Sequence, residues 1–368
     1  MQTNNQLQTI KIKKILLKEL QNKQKQNKNN YININIQQNF PNNYQTFQTK
    51  IQQLPYQSFQ SSNIVGPSTI RSLTVRQLKE TIEEIYKSKQ SFDKKYQEAQ
   101  LPRETMEQHM YTYLNQKYGL KNLIIEWAAA LINGIRKFSS EDNDVAVFGK
   151  ILRNECDEEF RFVQNQVKNT IQELLKMYLR GKYSYKHAND IKDMLNQKIN
   201  GWICEEETID IIKYMYNQED AESLIEKQKG FYVYGKNATL AERKKMTREE
   251  YLGYQQEKEK ARIEFTVFQK IILDFQLKSH EKFLRKFIQL YRSVDQDQNG
   301  IINENEFRDL LIKMGIEKDE TEIQKMLSQV DAYNKQQITF SQCVTLFSSE
   351  LIVCDGGNQM SILQKIQV

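Results

Sequence analysis

The stretch DQDQNGIINENEF, residues 295–307, sets side-chain oxygens at alternate positions as far as a glycine, passes over two isoleucines and closes on a glutamate. A hard divalent cation takes about six to eight oxygens, and a twelve-residue loop between two helices can supply them. Asp295, Asp297 and Asn299 fall at loop positions 1, 3 and 5, and Gly300 at position 6 permits a sharp turn. Ile301 offers its backbone carbonyl at position 7, Asn303 stands at position 9, and Glu306 at position 12 can close the shell with both carboxylate oxygens. The donor set favours Ca2+, with Mg2+ as a competitor.

Apolar stripes flank the loop. Phe283, Phe287, Leu290 and Tyr291 precede it at helical spacing, and Phe307, Leu310, Leu311 and Met314 follow it. With average composition the ligand pattern arises by chance in roughly one chain of this length in a thousand. Together these residues resemble the EF-hand superfamily, of which calmodulin is a member. The resemblance covers about residues 279–352 and implies a second hand, paired with the first through loop position 8. DAYNKQQITFSQ, 331–342, fits that frame with Ile338 corresponding to Ile302. Its ligands do not fit: Asp331 keeps position 1, but Tyr333, Lys335, Gln336 and Gln342 stand at positions 3, 5, 6 and 12. The stripes Ile323, Met326, Leu327, Val330 and Phe340, Val344, Phe347, Leu351 persist, so the second hand is expected as packing without an ion. Three acids in a lone complete loop imply micromolar or weaker binding.

The chain of 368 residues carries a formal charge of +6, of which residues 1–70 hold +7 through eight Lys against Glu19, leaving −1 for the rest. That tail is rich in Gln and Asn and holds three of the four prolines; it is expected to be disordered. A nucleic-acid binder keeps its basic residues on a folded face, so that class is disfavoured. Cys156, Cys204, Cys343 and Cys354 are widely spaced, without a CxxC pair, and read as free thiols in a reducing compartment. LIIEWAAALINGI, 123–135, is too short for a membrane span.

After Pro102 the chain has no proline, and its apolar residues recur at helical spacing. An all-α fold follows: an elongated helical bundle over 71–276, a C-terminal EF-hand pair over 277–354 and a tail over 355–368. Thr74 or Ser72 can cap a first helix with the stripe Leu78, Ile82, Ile85, Tyr86; a second stops at Gly119; a third, 120–138, is apolar almost all round and is expected at the centre of the bundle. One helix of almost 40 residues is expected over 142–181, with the acids of NECDEEF on its wet side. KGFYVYGKNATL, 229–240, reads as an ordered loop. Another long helix, from Thr247 to about 276, carries Ile263, Val267, Phe268, Ile271, Ile272 and Phe275, and could lie in the groove of the hand pair as an internal lock.

His187, Asp190 and Asp193 share a helix face that reads as solvated; His109 and His280 stand alone in sequence. There is no P-loop, GxGxxG after a strand, HExxH or GxSxG, and no enzyme is expected. The Gln/Asn bias, long charged helices and terminal hands resemble, more weakly, ciliary axonemal and other cytoskeletal proteins of ciliates. That resemblance implies a cytoplasmic calcium-binding adaptor, at the cilium or cytoskeleton, whose hand pair senses calcium and takes an amphipathic partner helix. The alternatives are a static structural subunit whose hand is only a fold element, and a nucleic-acid-associated protein acting through its Lys-bearing tail.

Overall fold

The computed structural model describes residues 72–99, 101–234, 247, 261–331, 334–348 and 351; the N-terminal tail, Cys354 and the C-terminal tail lie outside them. The described residues belong to one compact unit, 63–368, and form twelve helices and four short strands. In chain order these are α1 (Val75–Glu98), α2 (Met106–Tyr118), α3 (Lys121–Phe138), α4 (Asn143–Leu152), α5 (Phe160–Lys182), α6 (Ala188–Ile199), β1 (Trp202–Cys204), α7 (Glu205–Met215), α8 (Gln218–Lys229), β2 (Arg262–Glu264), α9 (Phe265–Val294), β3 (Ile301–Ile302), α10 (Glu304–Met314), α11 (Glu320–Val330), β4 (Ile338–Thr339) and α12 (Phe340–Leu346). None of these helices is long and apolar enough to cross a membrane.

Local chemistry sets the early boundaries. Thr74 caps α1, its hydroxyl accepting from Gln77 N at 3.3 Å, and the stripe Leu78, Ile82, Ile85, Tyr86 is buried. Thr105 and Gln108 form a capping box on α2, which ends at Gly119 with φ 67°. α3 departs from expectation. Its small residues Ala128, Ala130 and Gly134 do face the core, with Leu78 of α1 seated over Gly134. Its other side carries Leu120 and Ile125 at 65% and 49% exposure, so α3 flanks the bundle and does not form its centre.

The single helix expected over 142–181 is two. Asn154 turns the chain at φ 52°, and residues 153–159 leave the helix because tertiary contacts claim them. Of the acids expected on a wet face, Glu159 stays exposed, while Asp157 and Glu158 are drawn inward. Asp157 Oδ1 lies 2.5 Å from His280 Nε2, and Glu158 sits 2.8 Å from Arg103 Nη2 and 3.5 Å from Lys89 Nζ. The latter pair fixes the loop to α1. His280 is therefore not isolated, and neither is His109, whose buried ring lies within 3.2 Å of Glu104 and 3.0 Å of Ser88 Oγ.

β1 and β2 pair antiparallel, Ile203 opposite Ile263, and Val233 bridges to Arg262, so part of the expected 229–240 loop has strand pairing. Residues 248–260 lie outside the description; in the remainder of the segment expected to be one helix, Arg262–Glu264 form β2 and a helix starts at Phe265. Phe268, Ile271 and Ile272 are buried in the first apolar cluster, which excludes that half of the segment from a groove elsewhere.

α9 runs 30 residues, about 45 Å at 1.5 Å per residue. Its Phe265, Phe268, Ile272 and Leu277 belong to the first cluster, with α1–α8. Leu284, Phe287, Tyr291 and Val294 belong to a second, with α10–α12. The boundary expected at residue 277 thus falls inside one continuous helix, where its buried face passes from one core to the other. The second cluster takes in all sixteen flanking residues expected around the two loops, twelve of which are Phe283, Phe287, Leu290, Tyr291, Phe307, Leu310, Leu311, Met314, Phe340, Val344, Phe347 and Leu351. Phe287 sits at its middle, with ring centroids 5.7 Å from Phe340 and 6.1 Å from Phe347. Phe287→Ala is expected to cost about 3 to 5 kcal/mol, as a fully buried aromatic lost with little collapse, measured by urea denaturation of the full chain.

Candidate metal centre

α9 ends at Val294 and hands the chain to Asp295, which caps it with an amide bond back to Tyr291 O. The loop then folds on itself through its own side chains. Asp295 Oδ2 accepts from Gly300 N at 3.0 Å, Asp297 Oδ1 from Asn299 N at 3.3 Å, and Asn299 Oδ1 from Ile301 N at 2.7 Å. Gln298 and Gly300 take φ 54° and 76°. The loop runs directly into α10, where Asn303 Oδ1 accepts from Glu306 N at 3.0 Å and Glu306 Oε2 accepts from Asn303 N at 2.9 Å. This capping box fixes Glu306 one turn into the helix, with Asn303 at its mouth.

All six predicted donors, Asp295, Asp297, Asn299, Ile301, Asn303 and Glu306, therefore lie within the twelve residues that run from the end of α9 into the first turn of α10. One atom among them is left over. Asp295 is buried, and its Oδ1 has no hydrogen-bond partner. An unpaired buried carboxylate oxygen is costly, and burial, with Asp297 beside it, pushes the Asp295 pKa up to about 7. Two carboxylates, an orphaned oxygen and neighbouring amide and carbonyl oxygens make a set that a hard divalent cation fits.

The second loop meets the same frame without that need. Ile301 and Ile302 pair with Thr339 and Ile338, the register expected from loop position 8. Tyr291 OH, buried beneath, donates to Gly300 O at 2.9 Å and Ile338 O at 3.3 Å. In this loop both Asp331 oxygens are spent on backbone amides, from Lys335 at 2.8 Å and Gln336 at 2.6 Å. Gln342 ties the two ends together, its Nε2 donating to Val330 O at 2.6 Å and its Oε1 accepting from Thr339 N at 3.0 Å. An amide thus spans the distance that a bidentate acid and an ion would span. Tyr333 lies outside the described residues.

Sequence reading missed the neighbour of this centre. The loop 153–159 docks on it: Asn154 lies where a side chain on Gly300 would have to go, Glu158 N donates to Ser341 Oγ at 3.0 Å, and Arg292 reaches Arg153 O and Glu155 at 3.4 Å. The signal available was the pair of turn-favouring residues Asn154 and Asp157 inside an otherwise helical run. Cys156, Asp157 and His280 also bring three possible ligand atoms within 4.8 Å of one another. That group is closed on itself. Burial works against the Asp157 charge, yet the facing His280 holds its carboxyl below the usual range, while burial pushes the Cys156 thiol well up and its S–H points to Asp157 O at 3.6 Å. Cys156, Cys204 and Cys343 are free, and His187, Asp190 and Asp193 are all exposed.

No protein-family model matches the chain, and no solved structure matches it. A protein of Caenorhabditis elegans described as an uncharacterized calcium-binding protein is 31% identical over 88 residues, which are 24% of this chain and 38% of that protein. The chain therefore spans well under half of that relative's length.

A cation at this centre must displace the proton that Asp295 holds with a pKa of about 7. Raised above the unfolded value, that pKa means the ion-free protein loses stability as pH rises through the interval between the two, while ion affinity rises over the same interval. Apparent calcium affinity is expected to fall about tenfold from pH 8 to pH 6 by this proton linkage, read by calorimetry at both pH values; equal affinities would mean that Asp295 is already ionised at pH 6.

Proposed function

We propose that the protein is a non-enzymatic calcium-binding regulator in which α9–α12 form an EF-hand pair, the first hand taking Ca2+ through Asp295, Asp297, Asn299, Ile301, Asn303 and Glu306. The orphaned Asp295 oxygen carries this reading: it is a buried acceptor with no protein partner, at the first position of a complete ligand frame. The C. elegans relative, described as calcium-binding, supports it over a limited span. The second hand contributes the Ile302–Ile338 pairing and no ion.

Asp295 at the end of α9 and Glu306 in the first turn of α10 would hold the ion from its two sides and so link the two helices through it. In sensor hands of this superfamily ion binding reorients helices and opens a groove for an amphipathic partner. The contacts from residues 153–159 to Gly300, Arg292 and Ser341 give the helical body a direct bearing on that movement. Docking of the body on a cytoskeletal or axonemal protein is the part of the proposal that rests on sequence bias, and co-sedimentation of the full chain with microtubules, with and without calcium, tests it.

Calorimetry of the full chain is expected to give one calcium per chain, competed by magnesium, and Glu306→Gln is expected to weaken it beyond detection by removing the charge of the bidentate ligand. Two equivalents would restore the second loop as a site, and none would end the calcium reading. A regulator is expected to show calcium-dependent amide exchange in 153–159 and α10 as well as in the loop; protection confined to 295–306 would favour the static fold element.

A further inference from the structure

The first core holds an arrangement that repeats the metal centre. α6–β1–α7 is a helix–strand–helix unit whose strand pairs antiparallel with β2 at the head of α9, as α9–β3–α10 pairs through β3 with β4 at the head of α12. The correspondence extends to single atoms. Phe265 N donates to Gly201 O at 2.9 Å, and Phe340 N donates to Gly300 O at 3.2 Å. Ile203 faces Ile263 where Ile302 faces Ile338, and all four are fully buried. Glu207 Oε2 accepts from Cys204 N at 2.8 Å where Glu306 Oε2 accepts from Asn303 N at 2.9 Å. α7 and α10 are each 11 residues long. They bury Ile211 and Ile212, and Leu310 and Leu311, at matching places.

Gly201 to Glu207 thus matches Gly300 to Glu306, and on that register Lys198 stands where the first hand has Asp297. The Lys198 ammonium lies 2.8 Å from both oxygens of Glu207, a carboxylate that is almost fully buried. It makes the two-oxygen contact that a divalent ion makes with the closing acid of such a loop. There is no room for both. α6 winds on to Ile199, so the positions that form an open turn after Asp295 are helical here, and Asn196 O is taken by Asn200 N and Nδ2.

We propose that α6, β1 and α7 form a further hand, laddered to β2 at the head of α9, whose cation is carried by the chain: Lys198 replaces the ion on Glu207 and fixes this hand in one ion-independent arrangement. Calcium acts on the C-terminal pair alone, and α9 joins a permanently filled unit to a fillable one.

The test reads the Lys198–Glu207 pair without calcium, so its outcome is separate from that of the calcium titration. Lys198→Met, which strands a buried carboxylate, is expected to lower the melting temperature by roughly 10 °C and to speed exchange of the Phe265 amide at least tenfold. Lys198→Arg is expected to keep both near wild type, and Lys198→Met with Glu207→Met to recover most of the loss, since neither charge is then left alone. In the unaltered protein, calcium is expected to slow exchange at the Phe340 amide and leave the Phe265 amide unchanged. A Lys198→Met protein as stable as wild type, a double variant no better than the single, calcium-dependent protection at Phe265, or a calcium equivalent lost in Glu207→Gln would each overturn the proposal.

Discussion

A carboxylate removed from water has to be met by positive charge or by enough donors to replace its hydration, and the architecture of this chain is arranged around four such groups. Glu104, Asp157, Glu207 and Asp295 are the buried acids among the described residues. The first three have a basic side chain in contact: His109, His280 and Lys198. Asp295 has one backbone amide on one oxygen and nothing on the other. The same physical debt is settled from within the chain at three places and left open at the fourth, and that single difference is what marks Asp295 as the proposed ligand.

Each settled pair also locates an element. Glu104 holds His109 of α2, whose other ring nitrogen meets Ser88 of α1. Asp157 pins the loop between α4 and α5 to α9, at the point where the helix leaves one core for the other. Glu207 closes α6 onto α7 beneath the β1–β2 ladder. Removing one partner of such a pair costs more than the pair itself contributes, because the survivor remains buried and charged. The polar interior therefore supplies register between helices whose apolar stripes alone would tolerate sliding.

How much of this was legible in the sequence follows from how local each signal is. The C-terminal loop announces itself within twelve residues, and its flanking stripes and the Ile302–Ile338 register could be read from spacing. The N-terminal ladder could not. A lysine stands at loop position 3, helix α6 runs through the first four loop positions, and β2 begins only at Arg262, far along the chain from the end of α8 at Lys229. Residues 142–181 scan as one helix because their periodicity is sound; the break at Asn154 is imposed by contacts with residues more than a hundred positions away. α3 scans as central because apolar content says nothing of which apolar residues find partners, and Leu120 and Ile125 face outward.

Gly300 answers to two masters. It supplies the left-handed turn that the loop geometry asks for, and its bare Cα leaves space that the Asn154 side chain occupies. At the equivalent place in the neighbouring loop Gln336 holds φ 54° with its side chain exposed, so the turn by itself tolerates a larger residue. On the proposed reading, selection at position 300 would outlast the ion: a descendant that bound no calcium could shed the acids one by one and would still be obliged to keep the glycine, as a fossil of packing and not of coordination.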